Sequence, residues 1–388
     1  MGRRGCEYEL LMIPQIISEK FSLSMSFRNT FQHRNVLITG HTGFKGSWLT
    51  AWLKSLGARV TGIALDPPTL PSHYKAAELD KDIEDLRIDL RQREHLQQAI
   101  VSAQPEFLFH LAAQPLVRQS YADPVSTYAT NLMGTLHVLE ALRHLGRPCV
   151  AVLITSDKCY DNVEWVWGYR ETDRLGGPDP YSASKGATEL VIRSHVRSFF
   201  PKEGDVRLGI ARAGNVIGGG DWAEDRIVPD CVRAWSKSET VLLRNPNATR
   251  PWQHVLEPLS GYLNLAMALS ESNLLHGEPF NFGPPAAQNH SVGELVEQMS
   301  QHWDQVRWQD VSEQKQGPYE SGLLKLNCDK ALHQLGWLAN WDFERTVKDT
   351  VEWYKTYYES SNRIAEKTHA QITQYQSDAK EKGLAWAQ

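Results

Sequence analysis

Asn35-Val36-Leu37-Ile38-Thr39-Gly40-His41-Thr42-Gly43-Phe44-Lys45-Gly46 is the stretch whose reading decides the fold. Its first five residues form a short apolar, β-rich run. Glycines then recur at every third position, and an amphipathic stretch follows from Ser47 to Leu56, so the order is strand, turn, helix. Glycine lets the backbone turn tightly and lets a pyrophosphate approach the positive end of the helix. Gly40, Thr42, Gly43, Phe44, Lys45 and Gly46 are therefore candidates for a dinucleotide site, although the spacing is G-x-x-G-x-x-G rather than G-x-G-x-x-G. An ordinary glycine-rich turn is the competing reading.

Outward from this stretch, Arg59 to Leu65, Leu86 to Asp89, Phe107 to Ala112 and Val150 to Thr155 read as strands. Helical stretches such as Arg93 to Val101 lie between them, and Arg207 to Ala211 and Phe280 to Phe282 add two short strands. This alternation predicts an α/β fold, a Rossmann-type doubly wound parallel sheet with a smaller interleaved α/β substrate-binding lobe. The expected division is a dinucleotide domain over residues 34–216 with a returning segment at about 250–283, and a second lobe over 217–249 and 284–356. Residues 1–33 are expected to be a loosely ordered extension, with Met25 an alternative start. Their short apolar patch is interrupted by Pro14, so they do not resemble a signal peptide. Residues 357–388 are polar with little apolar periodicity and are expected to form a tail or peripheral helix.

Lys plus Arg is 41 and Asp plus Glu is 46 in 388 residues, a formal charge of −5 with no long run of either sign, so nucleic acid is not an expected partner. The five cysteines are scattered without a C-x-x-C pair and no H-E-x-x-H occurs, which points to a reducing, cytoplasmic setting and no metal. No apolar stretch approaches the roughly 20 residues a membrane span needs.

Asp66 lies about 20 residues beyond Gly46, where an acidic side chain can accept from the adenosine ribose. It is equally readable as a turn aspartate before Pro67-Pro68. No arginine accompanies it there, which favours NAD over NADP. Asp89 and Leu90 are placed to bracket the adenine, and Leu111, Ala112 and Ala113 follow His110 beside the cofactor. Tyr181 and Lys185 are four residues apart, hence on one face of a helix, and the lysine charge favours phenolate, so the pair suits proton removal from a carbinol. Ser156, Asp157 and Lys158 add a hydroxyl and two titratable groups at a strand end; a solvated loop ion pair is the plainer alternative.

GHTGFKGSWL (40–49), HLAAQPLVRQSY (110–121), ITSDKCYDN (154–162), WGYRETD (167–173), DPYSASK (179–185), ARAGNVIGGGDW (211–222) and RPWQHV (250–255) together resemble the CDP-glucose 4,6-dehydratases of the extended short-chain dehydrogenase/reductase type, over roughly residues 35–355. The resemblance implies bound NAD, CDP-glucose as the small-molecule substrate, and a homodimer or homotetramer. It implies Tyr181 as the 4-hydroxyl base and Asp157 as the acid for the departing 6-hydroxyl. Lys158 stands where related dTDP-glucose dehydratases carry glutamate, and it is readable either as the C5 base or as a stabiliser of the enolate. Gln114, Arg118, Asn215, Arg226 and Arg250 lie in or beside the matched motifs and are candidates for the substrate, the guanidinium groups suiting pyrophosphate; each arginine has a surface ion pair as its alternative. Rival readings are another sugar-nucleotide dehydratase or epimerase on the same scaffold, and a non-catalytic binding protein.

Overall fold

In this computed structural model, which describes residues 26–304, 306–313 and 322–388, seven strands build one sheet. They are β1 (Asn35–Thr39), β2 (Arg59–Ala64), β3 (Glu84–Arg87), β4 (Phe107–His110), β5 (Cys149–Ile154), β6 (Val206–Ala213) and β7 (Pro279–Phe282). They pair in the order β7-β6-β5-β4-β1-β2-β3, every neighbour parallel. Strand order reverses between β1 and β4, so a crevice opens at the carboxyl ends there.

The helices that frame it are α1 (Phe27–Phe31), α2 (Phe44–Ser55), α3 (Arg93–Ala103), α4 (Gly134–Arg143), α5 (Pro180–Phe199), α6 (Ile227–Trp235), α7 (Leu256–Glu271), α8 (Val292–Ser300), α9 (Phe343–Glu359) and α10 (Ile364–Glu381). Successive strand residues face opposite sides. Val36 and Ile38 join Trp48, Trp52 and Leu263 in one core layer, while Leu37 joins Leu96, Ile100, Val138 and Ile192 in the other.

Two strand boundaries depart from expectation. The third strand is Glu84–Arg87 rather than Leu86–Asp89, because at an exposed sheet edge polar residues can pair while Leu90 turns into the core instead. Pairing of β4 stops at His110, and Leu111–Ala113 leave the sheet to wall the crevice.

Beyond the main sheet, Val241–Leu243 pairs in parallel with Trp308–Asp310, and Thr249–Arg250 pairs antiparallel with His290–Ser291. A capping box of Ser291 and Glu294 starts α8.

Residues 26–33 correct the reading of a loose extension, and residues 357–388 take the helical of their two expected forms. Residues 26–33 carry α1, capped by Ser26, with Phe27 and Phe31 buried; residues 1–25 lie outside the described part. Residues 357–388 are not a polar tail: α10 buries Ile364, Thr368, Gln371, Ile372, Tyr375 and Ala379 on one face. The helical spacing was present, but three of those six positions are Thr, Gln and Tyr, which mutes the apolar signal. Trp386 then stacks on Phe27 with centroids 5.1 Å apart, joining the two ends. Among the described residues no helix is long and apolar enough to cross a membrane, and no group of three or more His, Cys, Asp and Glu is placed to hold a metal ion.

Candidate active site

The glycine-rich loop is jammed between the end of β4 and its own helix. Gly40 has φ +79° and a Cβ there would lie 2.7 Å from Ala112 N; a Cβ on Gly46 would lie 2.0 Å from Gly40 O. At Gly43, which caps α2, an added Cβ would meet only Gly40 O at 3.4 Å, so the backbone is open where phosphate must approach. Thr42 Oγ1 donates to Leu65 O at 3.0 Å and ties the loop to the tip of β2. Thr39 Oγ1 contacts His110 Nδ1 at 2.7 Å, and burial pushes that imidazole down to about 3.

At the ribose corner the structure corrects one expectation. An arginine does reach the tip of β2: Arg87, in register with Ala64, donates to Leu65 O at 2.9 Å and to Asp85 at 2.7 Å, and its Nε lies 3.5 Å from Asp66. Asp85 also accepts from the Tyr74 hydroxyl at 2.6 Å and contacts His41 Nε2 at 2.9 Å. Burial holds His41 below its ordinary value. Two carboxylates against one guanidinium leave the corner net negative, which suits a 2′-hydroxyl better than a 2′-phosphate. Asp66 itself is 92% exposed in its side chain. Asp89 is held by Arg91, whose Nε lies 2.9 Å from Asp89 Oδ2, and the Leu90 side chain is buried in the core beside Gly134.

The chemical residues meet at the carboxyl ends of β5 and the start of α5. Asp179 caps α5, accepting from Ser182 N at 2.9 Å, and Pro180 sets its first turn, which fixes where Tyr181 and Lys185 emerge. Ser156 Oγ donates to Asp157 Oδ1 at 2.9 Å and pulls on the Tyr181 phenol. Burial pushes Tyr181 up to about 12, against the pull of Ser156 and Arg226. Burial also raises the Asp157 carboxyl, opposed by Lys158, Ser156 and Lys45. Lys185 is lowered by burial to about 8, and the Glu189 carboxylate pulls it the other way. Lys45, expected among the cofactor ligands, is half-buried within electrostatic reach of Asp157, Arg226 and Lys185, and desolvation lowers it to about 8.

The nucleotide-end candidates divide. Arg118 Nη1 lies 2.9 Å from Asp225, which also draws Arg244 to 3.5 Å. Arg226 pairs with Asp221 at 2.6 Å and acts on Tyr181, so it belongs to the chemical end. Arg250 donates to Thr249 O at 2.8 Å. Asn215 accepts from Gln253 N through its carbonyl at 3.3 Å. The Gln114 amide is turned inward: it donates to Thr127 Oγ1 at 2.9 Å and accepts from Leu116 N at 2.6 Å, which makes it a brace of the loop.

The family model described as GDP-mannose 4,6 dehydratase matches residues 37–350. The chain belongs to this family. Within these sugar-nucleotide dehydratases it is 46% identical over 342 residues to the CDP-glucose 4,6-dehydratase of Salmonella typhimurium (strain LT2), covering 87% of this chain and 95% of that one. It is 27% identical over 328 residues to the dTDP-glucose 4,6-dehydratase of Streptomyces antibioticus, covering 83% and 92%. Among solved structures, UDP-glucose-4-epimerase from Stenotrophomonas maltophila with bound NAD and formylated UDP-arabinopyranose shares the fold at TM-score 0.72 and 20% identity, over 84% of this chain and 100% of that one.

Three parts of this dehydratase site escaped sequence reading. Glu189, one turn beyond Lys185, accepts from Thr155 Oγ1 at 2.6 Å and from Arg212 Nε at 2.8 Å, with both charges buried, so α5 is pinned to β5 and β6. Asn131 sits in a π-turn (Ala129–Met133) and its Nδ2 donates to Ser184 Oγ at 2.9 Å and to Gln114 O at 3.1 Å. Arg244 and Asp225 complete the arginine pair. None of the three carries a local sequence signal, since Asn131 stands among Thr127, Thr130 and Thr135.

Proposed function

We propose that this chain is a CDP-glucose 4,6-dehydratase that uses NAD to convert CDP-glucose to CDP-4-keto-6-deoxyglucose and water. The observation that carries this is the convergence of Ser156, Asp157, Tyr181 and Lys185 at the carboxyl edge of a glycine-loop sheet, all four under 9% exposed. The cradle at Gly40, Gly43 and Gly46 fits a dinucleotide pyrophosphate, with Leu111, Ala112 and Ala113 as its wall and Asp66 facing the ribose. The chemistry supplied by bound NAD is hydride storage, taken up from C4 and returned at C6.

Tyr181 takes the proton of the sugar 4-hydroxyl, helped by the Lys185 charge and the Ser156 hydroxyl. The resulting 4-ketone acidifies C5. Asp157, raised by burial and so more readily protonated, gives its proton to the departing 6-hydroxyl, and the C5 proton lost at that stage is restored after hydride reaches C6. Lys158 is the candidate base at C5, with enolate stabilisation as the other role open to it; a Lys158→Ala variant exchanging C5–H with solvent at the wild-type rate removes it as base. Residues 217–249 and 284–356 are read as the substrate-binding lobe, and Arg118, Asn215, Arg226 and Arg250 as polar contacts of the substrate. A cytoplasmic homodimer or homotetramer fits the exposed apolar side chains of Tyr121, Val125, Met133 and Leu190 beside α4 and on α5.

Incubation of the purified protein with NAD and, separately, CDP-glucose, dTDP-glucose, UDP-glucose and GDP-mannose tests the reading by product mass and NMR. A 4-keto-6-deoxy product from CDP-glucose alone is expected. Turnover of a different nucleotide sugar alone overturns the substrate, and no turnover of any overturns the activity.

A further inference from the structure

On the buried side of α2, a row of hydrogen bonds joins the C-terminal hairpin of α9 and α10 to the first turn of the glycine-loop helix. Trp353 Nε1 on α9 donates to Thr368 Oγ1 on α10 at 3.1 Å, and Thr368 Oγ1 lies 3.1 Å from His73 Nε2. His73 Nδ1 lies 2.8 Å from Ser47 Oγ, and Ser47 Oγ donates to the Phe44 carbonyl at 2.9 Å. An indole N–H only donates, and each hydroxyl has one proton to give. Every group in the row is satisfied when Thr368 donates to Nε2 and His73 donates from Nδ1 to Ser47, which assigns a neutral imidazole with its proton on Nδ1. Full burial, which pushes His73 down to about 3, agrees with that assignment.

Packing reinforces the same unit. Trp48, the residue after Ser47, stacks on His73 with centroids 4.7 Å apart and planes 3° apart, and its Nε1 donates to Gly219 O at 2.9 Å. Gly219 admits no side chain, since a Cβ there would lie 2.0 Å from Trp353 Cγ. The Tyr354 hydroxyl donates to the Asp221 carbonyl, and Asp221 holds Arg226. The hairpin therefore bears on the start of α2 and on the segment that presents Arg226.

We propose that the His73–Thr368 link makes the C-terminal hairpin part of the cofactor-binding apparatus, His73 and Thr368 being positioning residues that hold the first turn of α2 in the register a dinucleotide pyrophosphate requires. This rests on the NAD reading above. A phosphate gripped by main-chain N–H groups depends on where the backbone sits rather than on a charged side chain. A buried hydrogen bond that is broken leaves a polar group unmatched, and the local backbone shifts to find a partner.

Titration calorimetry of the full chain with NAD+ and with NADH, beside CDP-glucose turnover, tests it. Thr368→Val keeps the volume and deletes the hydroxyl. The NAD+ dissociation constant is expected to rise about tenfold, while kcat at saturating NAD+ and KM for CDP-glucose stay within about twofold. Thr368→Ser restores affinity. Val296→Ala, a cavity in α8 outside the hydrogen-bonded row, lowers the melting temperature without moving NAD+ affinity. Wild-type affinity in Thr368→Val, or equal weakening in Val296→Ala, overturns the inference. Should Thr368→Val fail to fold, Trp353→Phe deletes only the terminal donor; a rise of about threefold supports the link and an unchanged constant overturns it. A wild-type chain that binds neither NAD+ nor NADH brings down the cofactor reading and this inference together, whereas binding undisturbed by the variants counts against the inference alone.

Discussion

At one end of the crevice Ser156, Asp157, Tyr181 and Lys185 are 8%, 4%, 7% and 6% exposed, while at the other the Arg118, Asp225 and Arg244 side chains are 44%, 42% and 44% exposed. Burial at the chemical end drives the proton affinities of the pair apart: a phenol raised to about 12 faces an ammonium lowered to about 8, with a raised carboxyl beside them. At the open end the ion pairs are solvent-screened, and each is worth only about 0–1 kcal/mol. Such pairs exchange partners cheaply, so a pyrophosphate can displace Asp225 from Arg118 and Arg244. On the proposed function, the chemistry sits where water is excluded, and recognition sits where ion pairs can be traded.

Tyr181→Phe should break the chemical end most severely, with kcat down about a thousandfold, KM near wild type and an unchanged melting temperature, as read by steady-state kinetics and calorimetry. Asp157→Asn should lower kcat about a hundredfold, because the neutral amide has no proton to give the leaving hydroxyl; product formation under saturating CDP-glucose checks this. Arg118→Ala should act in the opposite way, raising KM about tenfold with kcat preserved, and the difference from wild type should shrink as salt rises. Arg244→Ala, whose guanidinium is 3.5 Å from Asp225 rather than 2.9 Å, should raise KM about threefold in the same assay.

Buried groups outside the crevice give a pH signature of their own. His73, His110 and His254 are each held down to about 3 by burial, so the unfolded chain binds their protons first. Their contribution to stability is fully present above about pH 6.5, the unfolded value, and is lost as pH falls toward 3, at about 1.4 kcal/mol per pH unit for each unbalanced proton. Glu257, raised to about 7 by burial despite bonds from Asn340 N, Trp341 N and Tyr375, opposes this, since its protonated form favours the folded state at low pH. The raised carboxyls of Glu171, Asp230 and Asp349 side with Glu257, while His41 and His276 are held low like the other three histidines. With the largest displacements on the histidine side, the melting temperature is expected to fall on acidification below pH 6.5, and one rising between pH 6.5 and 4.5 would contradict the assignment.

What the sequence made legible follows from how local each feature is. The β1–turn–α2 unit and the Tyr181–Lys185 spacing are encoded within a few residues, so the strand–turn–helix start of the sheet and the shared helical face of that pair could be read directly. Arg87 reaches Asp66 only because β3 pairs with β2 in one register, and Glu189 meets Arg212 only across two strands and a helix. Neither contact has a local signature. Lys45 was read with the phosphate loop because of its position in the glycine pattern, and its place within electrostatic reach of Asp157 and Lys185 has no local signature. The burial of the C-terminal helix was hidden for a different reason: Thr368, Gln371 and Tyr375 are buried through hydrogen bonds rather than apolar surface, which hydropathy does not register.

The most direct test of an internal redox dehydration is to supply CDP-glucose carrying deuterium at C4 and locate the label in the product by NMR. The account predicts deuterium at C6 of the 4-keto-6-deoxy sugar, with C5 filled from solvent. Deuterium remaining at C4, or lost altogether to solvent, would contradict it.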